Sequence, residues 1–377
     1  MKINTFIKIF IFKKKWKFLI EKKNVDVLVL DKGHAPVKFP EKINIFTIEN
    51  EIYILNIFIS IFQLIFSFKP KNYQKLIDLY FISCVKVFNP KIAIGHEVDG
   101  RLFKIKKFFP KIKTILYQFG NYLEIHREYA KERFKNQSFD YFLVWDEWHK
   151  SFFKSFVNTN FIISGSIKNN QIEIKKNEKI YDIMLISAFR KPVRNYANTN
   201  YDVSSMRSID MNTSYVTRIL ENYCNKNKLK FCIALSSTRS DKKNKKSINM
   251  NDELDFFRRD SKNFYFENCS SYELAEKSNL VVNVYSTLGM ELLSRGKKVL
   301  FLDLYHYVAR HPFIPNNSSG LFWTNENSKK EIESKIESLL NIKDNQWNTE
   351  LQKYNLGLKF DYKNTILVKL VNELIEK

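Results

Sequence analysis

Glycine and proline are scarce in this chain, 9 and 8 among 377 residues. Collagen-like, Gly-rich-linker and Pro-rich architectures are thereby excluded. Cysteine is rarer still. Cys84, Cys224, Cys232 and Cys269 form no C-x-x-C pair, and none has a histidine at zinc spacing. That argues against a disulfide scaffold or zinc module and suits a reducing cytoplasm. No two aspartates stand at i, i+2, so the Asp-x-Asp metal site of single-domain sugar transferases is missing, and no metal site is expected. G-x-G-x-x-G, G-x-x-x-x-G-K-[ST] and G-x-S-x-G are missing too. NAD binding, metal-dependent phosphoryl transfer and serine hydrolysis lose support accordingly. No nucleic-acid-binding motif occurs, and no nucleic-acid partner is expected.

What the chain does have is apolar bulk. With 33 Phe and 19 Tyr it can bury enough surface to fold, and its length suits two domains of ordinary size. Its charge is +22 and uneven: residues 1–180 carry 32 basic and 17 acidic groups, residues 181–377 carry 30 and 23. Such a surface draws in nucleic acid, anionic lipid or phosphorylated small molecules. Lys, Asn, Ile and Phe are all abundant, as an AT-rich genome would give, so composition alone leaves the origin of the basicity open.

The first twenty residues hold six lysines and no acid, yet lack the order of a signal peptide: no adequate apolar run and no small-residue cleavage site. A cytoplasmic protein is expected, with the option of a peripheral seat on the inner face of the membrane. Residues 52–68 contain no charge, but Asn56, Ser60, Gln63 and Ser67 interrupt them. They read as a buried or interfacial helix rather than a span. With the lysine cluster 13–17 and Trp16 they are compatible with docking on anionic headgroups.

Strand-like runs alternate with helix-length segments throughout. In the first half, strands are expected at 25–30, 43–48, 92–95, 114–118, 141–145 and 161–164, with helices at 52–68, 73–87, 102–109, 123–135 and 147–156. The strands are apolar on both faces, which points to parallel sheets covered on each side. A polar stretch, 168–179, marks a domain boundary. The alternation restarts with strands at 183–188, 231–235, 263–266, 280–285 and 298–302. Helices are expected at 215–225, 252–259, 272–277, 288–294, 329–341 and 364–376. The fold class is α/β: two Rossmann-like, doubly wound domains, residues 1–170 and 180–377, facing a central cleft. The closing helix could pack back on the first domain.

Ligands of open α/β sheets bind beyond the carboxyl ends of the strands, where helix N-termini offer unpaired N–H groups. The sharpest such loop is NVYSTLGMELLSRGKKVLF, residues 283–301. Ser286 or Thr287 could cap the helix and donate to a phosphate, Gly289 would let a ligand approach the backbone, and Glu291 could accept from a ribose diol. Simple capping and a solvated first-turn acid explain the same residues equally well. After the first strand of the second half, Arg190, Lys191 and Arg194 could clamp a diphosphate or form a solvated basic loop. Ser236-Ser237-Thr238-Arg239 is a weaker version, and His311 beside Pro312 could bind phosphate or mark a turn. In the first half, GHEVDG (95–100) packs His96, Glu97 and Asp99 after a strand, enough for a general base toward a hydroxyl, or an ordinary turn with Asp99 as cap. Gln118 and Asn121 line the next strand end, and Ser166 the last.

These segments resemble a family. DVLVLDKG, PKIAIGHEVDGRLFKIKKFFPKIKTILYQFGN, DYFLVW with FIISGSIKNN, and VYSTLGMELLSRGKKVLFLD with GLFWT look like surface carbohydrate biosynthesis proteins of bacterial lipopolysaccharide and O-antigen clusters. More broadly the chain is similar to two-domain GT-B glycosyltransferases and to relatives that transfer glycerol phosphate from CDP-glycerol. Those relatives place His-Gly where this chain has Phe119-Gly120. The resemblance implies a metal-independent transferase with a nucleotide-activated sugar as co-substrate and no cofactor. Ser286, Thr287, Gly289 and Glu291 would bind the donor, Arg190 and Lys191 its phosphates. Glu97 or Asp99 would act as base toward a glycan or lipid-linked acceptor. His96, Gln118, Asn121, Ser166 and His311 are further cleft candidates. A sugar-nucleotide 2-epimerase, a CDP-glycerol-type phosphotransferase and a non-catalytic membrane-surface binding protein are the alternatives.

Overall fold

The computed structural model describes residues 15–18, 25–30, 39–41, 43–47, 51–65, 73–173, 178–189, 203–236, 250–304, 319–354 and 356–376. In chain order the strands are β1 (Lys15–Lys17), β2 (Val27–Val29), β3 (Ile45–Thr47), β4 (Glu51–Tyr53), β5 (Ile92–His96), β6 (Lys113–Tyr117), β7 (Tyr141–Val144), β8 (Asn160–Ile163), β9 (Tyr181–Ile186), β10 (Phe231–Ala234), β11 (Ser278–Asn283), β12 (Val299–Leu302) and β13 (Trp323–Thr324). The helices are α1 (Ile54–Ile65), α2 (Tyr73–Phe88), α3 (Arg101–Phe108), α4 (Arg127–Phe134), α5 (Glu147–Lys154), α6 (Ile167–Gln171), α7 (Val203–Asn227), α8 (Met250–Arg258), α9 (Ser271–Glu276), α10 (Thr287–Ser294), α11 (Lys329–Asn341), α12 (Asp344–Lys353) and α13 (Thr365–Glu376). Two compact units result. One draws on residues 1–119, 133–172 and 359–377; the other on 120–132 and 173–358.

The first unit holds a six-stranded, all-parallel sheet in the order β3-β2-β5-β6-β7-β8, beside a short parallel pair of β1 and β4. Alternation along each strand sends side chains to two covered faces. Val27, Ile92, Ile94, Ile115, Tyr117 and Leu143 meet Leu367, Val371 and Leu374 of α13. On the opposite side an aromatic cluster forms: Phe142 lies 4.7 Å from Phe153 and 5.8 Å from Phe134, and Phe134 lies 6.0 Å from Phe103. Ring contacts of this kind add to area burial.

A polar lock holds α13 in place. The Asn170 amide donates to the Ser164 carbonyl (2.8 Å) and to Asn364 Oδ1 (2.9 Å), and its Oδ1 accepts from Asp361 N–H (3.0 Å). Asn364 Nδ2 in turn donates to the Ile167 carbonyl at 2.9 Å. Both asparagines are fully buried, so each bond replaces one lost to water. Asp361 then caps α13, accepting from Ile366 N–H and the Thr365 hydroxyl.

The second unit holds a five-stranded parallel sheet in the order β10-β9-β11-β12-β13. Trp347 anchors α12 by donating its indole N–H to the Gly296 carbonyl at 2.8 Å. The expected strand at 263–266 is corrected: only Tyr265 pairs, bridging Cys232 at the sheet edge, with its N–H on the Phe231 carbonyl and its carbonyl on the Ile233 N–H (both 2.9 Å). Helix α7 starts well before residue 215, and β1, β4, β13, α6 and α12 have no counterpart in the sequence reading.

Gly165 tests the lock. Its φ is +72°, and a Cβ there would sit 2.2 Å from the Lys359 carbonyl oxygen. Backbone cannot swing aside as a side chain can. Gly165→Ala should destabilise the first unit by about 2–4 kcal/mol, read as a lower denaturant midpoint; an unchanged midpoint would refute the contact.

Candidate functional site

Each sheet reverses its strand order once among the strands described. In the second unit β9 runs between β10 and β11, and Leu185 is in register with Val282. The connections that follow β9 and β11 therefore run on opposite faces, and the gap between the ends of β9 and β11 is where such folds bind ligands. The loops after both strands are those that carry the sequence candidates. Arg190 and Lys191, after β9, lie outside the described residues, as do Arg194, Ser237, Thr238, Arg239 and His311.

After β11 the chain turns into α10. Ser286 is extended (φ −102°, ψ 139°) and caps the helix, its Oγ accepting from Leu288 N–H at 3.3 Å. Its own N–H donates to Asn283 Oδ1 at 2.9 Å. Thr287 is exposed, whereas Gly289 is buried. A Cβ on Gly289 would lie 2.4 Å from Nδ2, 2.5 Å from Cγ and 2.9 Å from Cβ of Asn283. The missing side chain therefore makes room for Asn283. Glu291 is buried, and its Oε2 accepts from the Tyr272 hydroxyl at 2.6 Å. The Arg295 guanidinium lies 5.9 Å from the centre of the Tyr272 ring. The bond to Tyr272 orients the Glu291 carboxylate.

Sequence reasoning missed Tyr272, which lies 19 residues away, and Glu253. Buried on α8 beside Leu254, Phe256 and Phe257, Glu253 accepts from the Ser187 hydroxyl and from Ser236 N–H (2.8 Å). It thereby ties together the segments that leave β9 and β10. The available signal was an acid within an otherwise apolar stretch of helix.

In the first unit the order reverses at β2, between β3 and β5. His96, Glu97 and Asp99 stand at the end of β5, at that reversal. Asp99 is paired to Arg101: Nε lies 2.9 Å from each carboxylate oxygen and the other guanidinium nitrogen 2.6 Å from Oδ2. Arg101 reaches across to the Leu30 carbonyl beyond β2 at 2.9 Å. Asp99 Oδ1 also accepts from Arg101 N–H at the start of α3. Glu97 is buried, its Oε2 accepting from Phe119 N–H at 2.6 Å and its carbonyl from Arg133 Nε at 2.9 Å. His96 is half-buried, and its Nδ1 accepts the Val98 N–H at 3.1 Å, which leaves Nε2 as the nitrogen to carry a proton.

Gln118 is buried and braces two strand ends: its Oε1 accepts from Trp145 N–H (3.1 Å) and its carbonyl from the Trp145 indole (3.0 Å). Ser166 caps α6 through Asn169 N–H. It follows β8, three strands across the sheet from β5, or about 14 Å at ordinary strand spacing, so it does not join His96 and Glu97. Asn121 belongs to the segment grouped with the second unit.

Burial raises the thiols of Cys84 and Cys224 to about 12 and that of Cys269 to about 11, and lifts Cys232 as well. All four stay protonated at neutral pH and are poor nucleophiles. Among the described residues, no group of three or more His, Cys, Asp or Glu is arranged to hold a metal ion.

Solved structures share the fold. The chain is similar to the "putative UDP-N-acetylglucosamine 2-epimerase from Listeria monocytogenes" at TM-score 0.54 and 11% identity, over 94% of this chain and 98% of that one. It is similar to the UDP-GlcNAc 2-epimerase from Neisseria meningitidis bound to UDP-GlcNAc at TM-score 0.50 and 15% identity, over 93% and 99%. A glycosyltransferase from Rickettsia africae gives TM-score 0.48 and 10% identity, over 94% and 100%. The fold is the two-domain, Rossmann-like GT-B type. The family follows from sequence: the model described as "putative O-antigen biosynthesis protein" matches residues 117–375, and the chain belongs to that family. No curated protein matches it.

Gly289 separates ligand access from internal packing. An exposed helical glycine replaced by alanine gains about 1 kcal/mol. Here Asn283 is fully buried and its own Cβ blocks the site. Gly289→Ala should instead cost about 1–3 kcal/mol, seen as a lower melting temperature. A gain in stability would show that Asn283 can move away.

Proposed function

We propose that this protein is a metal-independent glycosyltransferase that moves a sugar from a nucleotide-activated donor to a glycan or lipid-linked acceptor in O-antigen assembly. The observation that carries the reading is the end of β11: a capped helix start at the sheet's order reversal, followed one turn later by a buried carboxylate held by Tyr272. Helix N–H groups favour phosphate oxygens, and an oriented carboxylate accepts from sugar hydroxyls. Ser286, Thr287 and Glu291 are assigned to the donor, and the Arg190 and Lys191 loop after β9 to its phosphates. Fixed dipoles and cations would stabilise the leaving nucleotide.

For the acceptor hydroxyl, Asp99 is the poorer candidate, because the Arg101 guanidinium already engages both its oxygens. The role falls to Glu97, beside His96. A sugar-nucleotide 2-epimerase is the second reading, favoured by the names of the two epimerases that share the fold across nearly their full lengths.

Calorimetry with UDP, CDP, GDP and their sugars tests the donor site. One nucleotide class should bind, and Glu291→Gln or Tyr272→Phe should weaken it about tenfold, or about 1.4 kcal/mol. Binding by none of them, or equal binding by both variants, would overturn the assignment. Glu97→Gln should lower kcat by about 100-fold or more with the donor KM unchanged. Conversion of a nucleotide sugar with no acceptor present would favour the epimerase.

A further inference from the structure

Helix α1 is built inside out. Its twelve residues, ILNIFISIFQLI, contain no charge. Among its described side chains the two buried most deeply are polar: Asn56 (3% exposed) and Ser60 (0%). Asn56 donates to Ser83 Oγ of α2 at 3.0 Å, and the Ser60 hydroxyl donates back to the Asn56 carbonyl at 2.6 Å. The apolar side faces outward instead, with Phe58 61%, Phe62 62% and Ile65 54% exposed, and Leu55, Ile59 and Ile61 exposed beside them. Water alone selects the opposite arrangement, since an amphipathic helix gains by burying its apolar stripe. Contiguous exposed apolar surface marks contact with another apolar phase.

The surroundings say which phase. Strand β1 lies parallel to β4, immediately before α1, with Trp16 in register with Ile52. Trp16 and Phe18 are exposed there, and the Phe18 carbonyl accepts from Leu55 N–H at the helix start. Lys15 and Lys17 flank Trp16, within a twenty-residue stretch of six lysines and no acid. Lysine and tryptophan beside a charge-free apolar helix form the pattern of a segment lying in an anionic bilayer surface. At twelve residues α1 is about 18 Å long, too short for the roughly 30 Å hydrocarbon core, and no helix among the described residues is long and apolar enough to cross a membrane. A second copy of this chain would cover the apolar face but bring the same lysines to it, and like charges facing each other repel.

We propose that α1, with Trp16 and Phe18, inserts its apolar face into the surface of an anionic lipid bilayer and lies parallel to it. The proposal is independent of the transferase reading and fails or stands separately from it. Flotation of the full chain with vesicles of phosphatidylcholine, with or without phosphatidylglycerol, tests it. The chain should float with the anionic vesicles, and about tenfold less with neutral ones. Phe58→Ser with Phe62→Ser should lower the bound fraction by about tenfold or more, with melting temperature unchanged because both rings are exposed. Phe62→Ser alone, with a smaller loss in the same direction, serves if the double variant does not fold. No flotation with either vesicle would overturn the proposal, as would equal flotation of the variants. So would a dimer in sedimentation equilibrium that the variants convert to monomer without any vesicle binding by the parent.

Discussion

Parallel strands all end on the same edge of their sheet, and right-handed crossovers force the connections on either side of an order reversal onto opposite faces. The rest of this protein depends on that constraint. It opens a gap beyond β9 and β11 in one unit and beyond β2 and β5 in the other. Neither gap depends on a particular residue. Only the side chains differ there: Ser187 and Ser286 stand at or after the strand ends in one case, His96, Glu97 and Arg101 in the other. A family can therefore keep the scaffold while changing its chemistry, and structures near 11% identity still share the fold.

Much of this was legible in the sequence because the cue is local. Doubly apolar runs such as 92–95 and 280–285 can be stable only as covered parallel strands, and both are strands of the two sheets. The cue fails where pairing partners are remote or few. Lys15–Lys17 carries no strand pattern of its own, yet it pairs with β4, thirty-odd residues on. Residues 263–266 have strand composition, but only Tyr265 meets the last strand of the sheet. The same limit governs the candidate site. The end of β11 is visible as strand, hydroxyl pair, helix. Nothing local says that Asn283 fills the space Gly289 leaves, or that Tyr272 holds Glu291.

Two glycines show how one residue type answers different demands. At Gly165 the backbone itself is left-handed and pressed against another backbone, the Lys359 carbonyl. At Gly289 the backbone is ordinary helix and only volume matters. The first serves the asparagine lock that keeps α13 over its sheet, while the second serves the turn that leads to Glu291. Both are packing requirements, and neither is a ligand contact in itself.

The buried acids follow a related logic. The chain carries +22, yet among the described residues no lysine or arginine is buried, while Glu97, Asp99, Asp146, Glu253, Glu291, Asp303 and Asp361 are. All but Asp361 stand at the carboxyl edge of a sheet or bond to groups there. A buried carboxylate is a poor stabiliser compared with an apolar residue of similar size, so stability alone does not account for a row of them. Helix starts supply surplus N–H donors along that edge, and carboxylates can be held there at modest cost.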